Sequence, residues 1–390
     1  MKKRLIFSSI LAISCLIIAC GGSDNQDVST DSPTIPTVPT TPDSLCEHAN
    51  GQVNWQALMA EDCPRLNQYG LFIDPSNPTT QPQTPGFDYQ LATQLFSNYA
   101  SKYRFIYLPA GQTMQYHAQE AFEFPIGAVL VKTFALPLDT AITGAANEVL
   151  IETRLLIRRT KGWTSLVYQW RQDEALLLTA GATVRSTLTN QGQTQTFDYT
   201  IPSRAECKIC HQMNQDNSSQ IIPIGLKAHL LNREVIYQGH KVNQLILWAE
   251  QGRLSSLADI KQVGKTYAIE DSSADLTSRA KGYLDVNSAH CHNAKGFASI
   301  SGLRLGFYID HTSYQYGICK QPPGWDGGAK GLDYDIIPGN AEHSILLYRQ
   351  TLSEPKDRMP PIGRSLEHQE GVELIRQWID SLAPNIGNCV

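Results

Sequence analysis

Five consecutive residues, Cys207-Lys208-Ile209-Cys210-His211, restrict this chain more than anything else in its 390 residues. Two thiols three residues apart sit on one turn and can reach the two vinyl groups of a single haem. The adjacent histidine then points its imidazole at the iron as proximal ligand. C-x-x-C-H is for that reason the attachment motif of c-type haem. A redox C-x-x-C would need a βαβ context, and a zinc site would need a matching second C-x-x-C; neither is present. A chain built around such a group has to supply ligands and exclude water.

The beginning of the chain places the motif in a compartment. Lys2, Lys3 and Arg4 precede an apolar run from Leu5 to Ile18, the form of a secretory signal and too short for a membrane span. The run ends in Leu16-Ile17-Ile18-Ala19-Cys20, which resembles a bacterial lipobox. That resemblance implies a signal peptide over 1–19, cleavage before Cys20 and lipidation of its sulfur. Gly21 rather than Asp after the cysteine favours the outer membrane. Residues 20–45, rich in Pro, Thr, Ser and Asp, read as an extended spacer that cannot bury enough surface to order itself. The formal charge is −5, and losing Lys2, Lys3 and Arg4 with the signal leaves −8. An acidic chain without a basic run argues against nucleic acid, leaves the lipid anchor as its one membrane attachment, and suits partners with a basic face.

Nine cysteines are present. Cys15 leaves with the signal and Cys20 is the lipid site. Cys46 and Cys63 flank a short loop where the folded part begins, and a disulfide is expected there, worth ~3 kcal/mol through loop closure. Cys319 and Cys389 are left to each other by elimination.

A second, irregular site follows at Ser288-Ala289-His290-Cys291-His292, with serine where the motif has its first cysteine. Downstream stands Arg358-Met359-Pro360-Pro361. A methionine followed by proline suits a distal thioether ligand, because a rigid, extended loop presents the sulfur. His292 and Met359 are the expected axial pair, a combination that raises the reduction potential. Haem here would hang by one thioether from Cys291. His290 reads as facing away from the iron, and His343 and His368 as solvated. The first haem lacks an obvious distal ligand. His229 and His240 are within range, and an open iron position would permit small-molecule binding or peroxide chemistry.

Residues 46–200 read as β-rich. Val149, Ile151, Thr153, Leu155 and Ile157 alternate with a set that includes Glu152, Arg154 and Arg158, the pattern of a half-buried strand. Gly162 joins it to a second alternating run, Trp163–Trp170, as a hairpin. A sandwich or small barrel is expected. After residue 200 the periodicity becomes helical, around Leu245 and Trp248 and again around Ile375, Trp378, Ile379 and Leu382.

Residues from about 200 to 384 resemble a group of bacterial dihaem c-type cytochromes of largely unassigned function. The resembling stretches are CKICH, IIPIG, Leu231-Asn232, NQLILW, GYLDVNSAHCHN, GICKQPP, YDIIPGNAEHSILLYR, RMPPIG and EGVELIRQWI; FPIGAVLVKTF and LIETRLLIRRTKGW extend the resemblance toward the N-terminus. Those relatives carry a full C-x-x-C-H at the second site, from which Ser288 departs. The combined expectation is a multidomain α+β protein. A β-rich sandwich or barrel is followed by two mainly α-helical cytochrome c-like modules, at 201–260 and 275–386. Haem c would be held by Cys207, Cys210 and Cys291 with His211, His292 and Met359 on iron. The function implied is electron transfer between periplasmic donor and acceptor proteins. A haem enzyme or gas-responsive protein is the alternative, and a partner-binding module with structural haem a third.

Overall fold

The alternation around Ile151 and Leu155 becomes a twelve-residue strand, Glu148–Arg159, and it lies near the middle of the largest sheet. A computed structural model describes residues 44–47, 51–215, 218–326 and 328–389. The proposed signal, its Cys20 anchor and nearly all of the 20–45 spacer lie outside them. The first strands are Phe87–Asp88 (β1), Ser101–Tyr107 (β2), Met114–Gln115 (β3), Val129–Pro137 (β4), Glu148–Arg159 (β5), Gly162–Arg171 (β6) and Glu174–Leu178 (β7). Six of these form one antiparallel sheet in the order β1-β2-β4-β5-β6-β7. Gly162 turns β5 into β6 at φ +122°, a conformation that glycine adopts without steric cost. A separate hairpin pairs Ala182–Asn190 (β8) with Gln193–Ile201 (β9).

The two faces of the sheet are covered differently. On one, Phe105, Tyr107, Val131, Leu155 and Tyr168 pack against the N-terminal segment around the helix Trp55–Ala60 (α1). Cys46 and Cys63 are joined within that packing. On the other, Ile106 and Leu130 share a core with Leu226, Leu230, Trp248 and Val286. Further along, Phe134, Ile151 and Val167 share one with Phe197, Tyr199 and Cys207.

This second face overturns the expected architecture. Among the described residues strand exceeds helix, and two helical cytochrome c-like modules are not formed. The sheet is open, and its inner face is closed by a single hairpin and by the C-terminal half of the chain, so no self-contained sandwich or barrel precedes the haem motifs. Beyond residue 200 the helices are short: Cys207–His211 (α2), Ala228–Leu231 (α3), Gln244–Glu250 (α4), Leu276–Leu284 (α5), Ile345–Thr351 (α6) and Gln369–Ser381 (α7). Two small hairpins, Gln212–Gln215 with Ser218–Ile221 and Glu234–Tyr237 with His240–Asn243, interrupt them. The physical reason is burial. Helices of four to seven residues cannot enclose a core by themselves, so α2, α3 and α4 bury side chains against the sheet instead. The last region does assemble its own core, where α5 and α7 bring together Leu284, Ile318, Ile375 and Trp378. Cys319 and Cys389 are joined at its edge. No helix among the described residues is long and apolar enough to cross a membrane.

Candidate functional site

Between α2 and the inner face of the sheet lies a cavity of about 130 Å³. Its walls are mostly apolar, with Leu95, Phe96, Leu130, Leu156, Val167 and Ile224 among them. Cys207, Cys210 and His211 all line it. The fold delivers them there because Glu206, just before α2, accepts hydrogen bonds from the Ser203 N–H and hydroxyl (2.8 Å each), fixing the entry to the helix. Cys207, Cys210 and Cys291 are the free cysteines of the described residues.

His211 is held in one orientation. Its Nδ1 lies 2.7 Å from the Ile222 carbonyl. A carbonyl only accepts, so the proton sits on Nδ1 and the Nε2 lone pair is left unprotonated. Burial pulls the imidazole pKa down to about 4, keeping the ring neutral at physiological pH. A hydrogen bond from the far ring nitrogen to a backbone carbonyl is the usual support for a metal-binding histidine.

The sheet contributes charge. Arg104, Lys132 and Arg154 occupy paired positions on β2, β4 and β5, and Lys132 and Arg154 line the cavity. Both cations sit over the Phe134 ring, at 5.0 and 4.4 Å. Arg154 is neutralised by Glu152, through contacts of 2.7 and 2.6 Å, and Tyr199 donates a further hydrogen bond to that carboxylate. Burial, reinforced by Arg104, Lys102 and Arg154, holds the Lys132 amine well below the usual lysine pKa. An anionic group entering this cavity would meet the Lys132 amine in its wall.

The donor set therefore fits covalent haem: two free thiols, an oriented neutral imidazole and apolar walls. Cys207, Cys210 and His211 would hold it.

The second motif meets the first. The ligand atoms of Cys210, His290 and Cys291 all lie within 4.8 Å of one another. His292 is half-buried next to Cys291 in the chain but does not line the cavity. Its Nδ1 is 3.3 Å from Ser301 Oγ. That hydroxyl already donates to the Ala298 carbonyl (2.7 Å), so His292 is the donor and its Nε2 lone pair is unprotonated. Burial brings its pKa to about 4 as well. Met359 is half-buried, and the loop after it (Pro360, Ile362, Gly363 and Arg364) borders the cavity of His211.

Several expectations change here. His229 is buried, bonded through Nε2 to Asp285 (3.0 Å) and stacked on Phe307 at 4.7 Å. His240 is exposed at a hairpin tip. Neither lines the cavity. His290 does, and its Nδ1 is buried without a hydrogen-bond partner. It stands beside the sulfurs of Cys210 and Cys291. His368 is not solvated: it stacks on Phe96 at 4.2 Å and meets the Tyr283 hydroxyl at 3.1 Å. Sequence reasoning set His290 aside as facing away from the iron and missed Lys132. The only signal for Lys132 was a cation inside an otherwise apolar strand, VLVKTF.

Comparison with known proteins leaves the geometry to speak for itself: no family model matches this chain, and no match is found among curated proteins or solved structures.

Proposed function

We propose that this chain is an exported, lipid-anchored c-type haem protein that carries electrons between donor and acceptor proteins. The observation that carries the reading is His211, with its proton committed to the Ile222 carbonyl and its Nε2 free, in one cavity with the paired thiols of Cys207 and Cys210. Haem, when bound, supplies a one-electron iron couple. The protein's part is to orient His211 and to keep water from the apolar walls. A second attachment point is formed by Cys291, through a single thioether, with His292 and Met359 as its ligands. The acidic mature chain suits partners that present a basic face.

The test is haem-to-protein stoichiometry by pyridine haemochrome, with intact mass, on protein matured with its attachment machinery. Two haems are expected in the parent and one fewer in the double variant Cys207→Ser/Cys210→Ser. One haem in the parent removes the second site; none sinks the reading.

A second reading is favoured by one observation: no methionine lines the cavity, and its imidazole besides His211 is His290, beside the sulfurs of Cys210 and Cys291. The first haem then keeps an open position for a small molecule. Carbon monoxide binding by the reduced protein is the expected sign, and its absence leaves electron transfer alone.

A further inference from the structure

Among the described residues three thiols remain once Cys46–Cys63 and Cys319–Cys389 are paired, and they are not equivalent. Cys207 and Cys210 share a helical turn but face different neighbours. The Cys207 sulfur donates to the Ser203 carbonyl (3.4 Å) and packs in the core of the β8–β9 hairpin. Cys210 meets Cys291, and the Cys291 sulfur also reaches the Ile209 carbonyl (3.6 Å). The approach is fixed by backbone, because the Asn214 amide donates to the Lys295 carbonyl (2.9 Å), lashing the hairpin after α2 to the loop after Cys291. Ser288 removes the thiol that the second motif would otherwise offer Cys291. The two existing disulfides show chemistry suited to an oxidising compartment.

We propose that the haem-free chain closes a disulfide between Cys210 and Cys291, and that this bond withholds Cys210 from haem until it is reduced. The oxidant is a protein disulfide donor of the exported compartment. One thiolate attacks the donor's disulfide to give a mixed disulfide, and the other displaces the donor's sulfur. Cys210 and Cys291 together lose two protons and two electrons, and the donor leaves as a dithiol. Attachment of haem adds a thiol S–H across a vinyl group, and a sulfur held in a disulfide has none to add. The bond itself is independent of the haem reading; its withholding role rests on it.

The full chain, exported in cells without haem-attachment machinery, is acid-quenched, alkylated and mapped by mass spectrometry without reduction. A Cys210–Cys291 cross-linked peptide with alkylated Cys207 is expected. A Cys207–Cys210 bond, or three alkylated thiols, overturns the proposal. Separately, parent and Cys291→Ser are matured with the attachment machinery under limiting thiol reductant, and haem is counted on the Cys207–His211 peptide. The variant is expected to load severalfold more, with the gap closing in excess reductant. Equal loading overturns the withholding role. If that peptide carries no haem in either protein at any reductant, the withholding role and the haem reading fall together, and the peptide map alone decides the disulfide.

Discussion

Asp285→Ala is expected to cost the fold about 3–5 kcal/mol, the loss that follows when one member of a buried charge network is removed. In a chain of this size that is a fall of roughly 5–10 °C in the unfolding midpoint. Asp285 is 2% exposed and satisfies three groups from two segments. Its carboxylate accepts from Lys227 Nζ at 3.1 and 3.2 Å, from His229 Nε2 at 3.0 Å and from the Phe307 amide at 3.1 Å. Alanine leaves a largely buried ammonium, an imidazole N–H and a backbone N–H without their acceptor. Asp285→Asn keeps shape and some hydrogen bonding, so its loss should be smaller than that of alanine; equal losses would mean that the charge rather than the shape is what matters.

The same group sets a pH dependence. Burial alone would raise the Asp285 pKa, but Lys227, the His229 hydrogen bond and the Phe307 amide outweigh it and hold the carboxyl below the usual carboxylate range. A folded pKa below the unfolded one means that the stabilisation is fully present above the unfolded value of about 3.9 and is lost as pH falls through the folded value. Stability measured in denaturant from pH 6 downward should therefore decline more steeply below about pH 4 in the parent than in Asp285→Ala. Parallel curves would remove Asp285 from the acid transition.

What periodicity could read was the direction of apolar faces. Ile151, Leu155 and Ile157 marked a strand, Gly162 its turn, and Ile375, Trp378 and Ile379 the helical face that packs in the last core. It could not read what covers a charged face. Glu152 and Arg154 alternate with the apolar set and so resemble a solvated surface. In the fold Glu152 is fully buried and Arg154 lines a cavity, because the C-terminal half closes over that side of the sheet. The same long-range closure explains why separate helical modules were expected and are absent. The ligand motif was legible as a string, since C-x-x-C-H is local, but the meeting of Cys210 with Cys291 depends on how two distant segments dock.

Arg364 governs the loop that carries Met359, and Arg364→Ala is expected to cost about 3–5 kcal/mol, with Arg364→Lys recovering little of it. The side chain is 4% exposed and serves backbone carbonyls from two segments. Nη2 donates to Arg349 (3.3 Å), Gln350 (3.1 Å), Leu352 (3.0 Å) and Met359 (2.9 Å); Nε reaches Met359 again (3.2 Å) and Nη1 reaches Leu366 (3.3 Å). The first three close the C-terminal end of α6, where carbonyls lack intrahelical partners and a cation is favoured. Burial, with Arg358 adding to it, pulls the guanidinium pKa down to about 10, so it stays charged at neutral pH. A lysine ammonium has three donors on one point and cannot span carbonyls lying on different sides of a planar fork. Both variants should therefore expose residues 352–366 to limited proteolysis before the rest of the molecule. If Met359 ligates iron, they should also lose the near-infrared thioether-to-iron band while retaining covalently attached haem, because the attachment cysteines lie in other segments. Loss of the band together with loss of attached haem would instead mean that Arg364 supports the whole cavity rather than the Met359 loop.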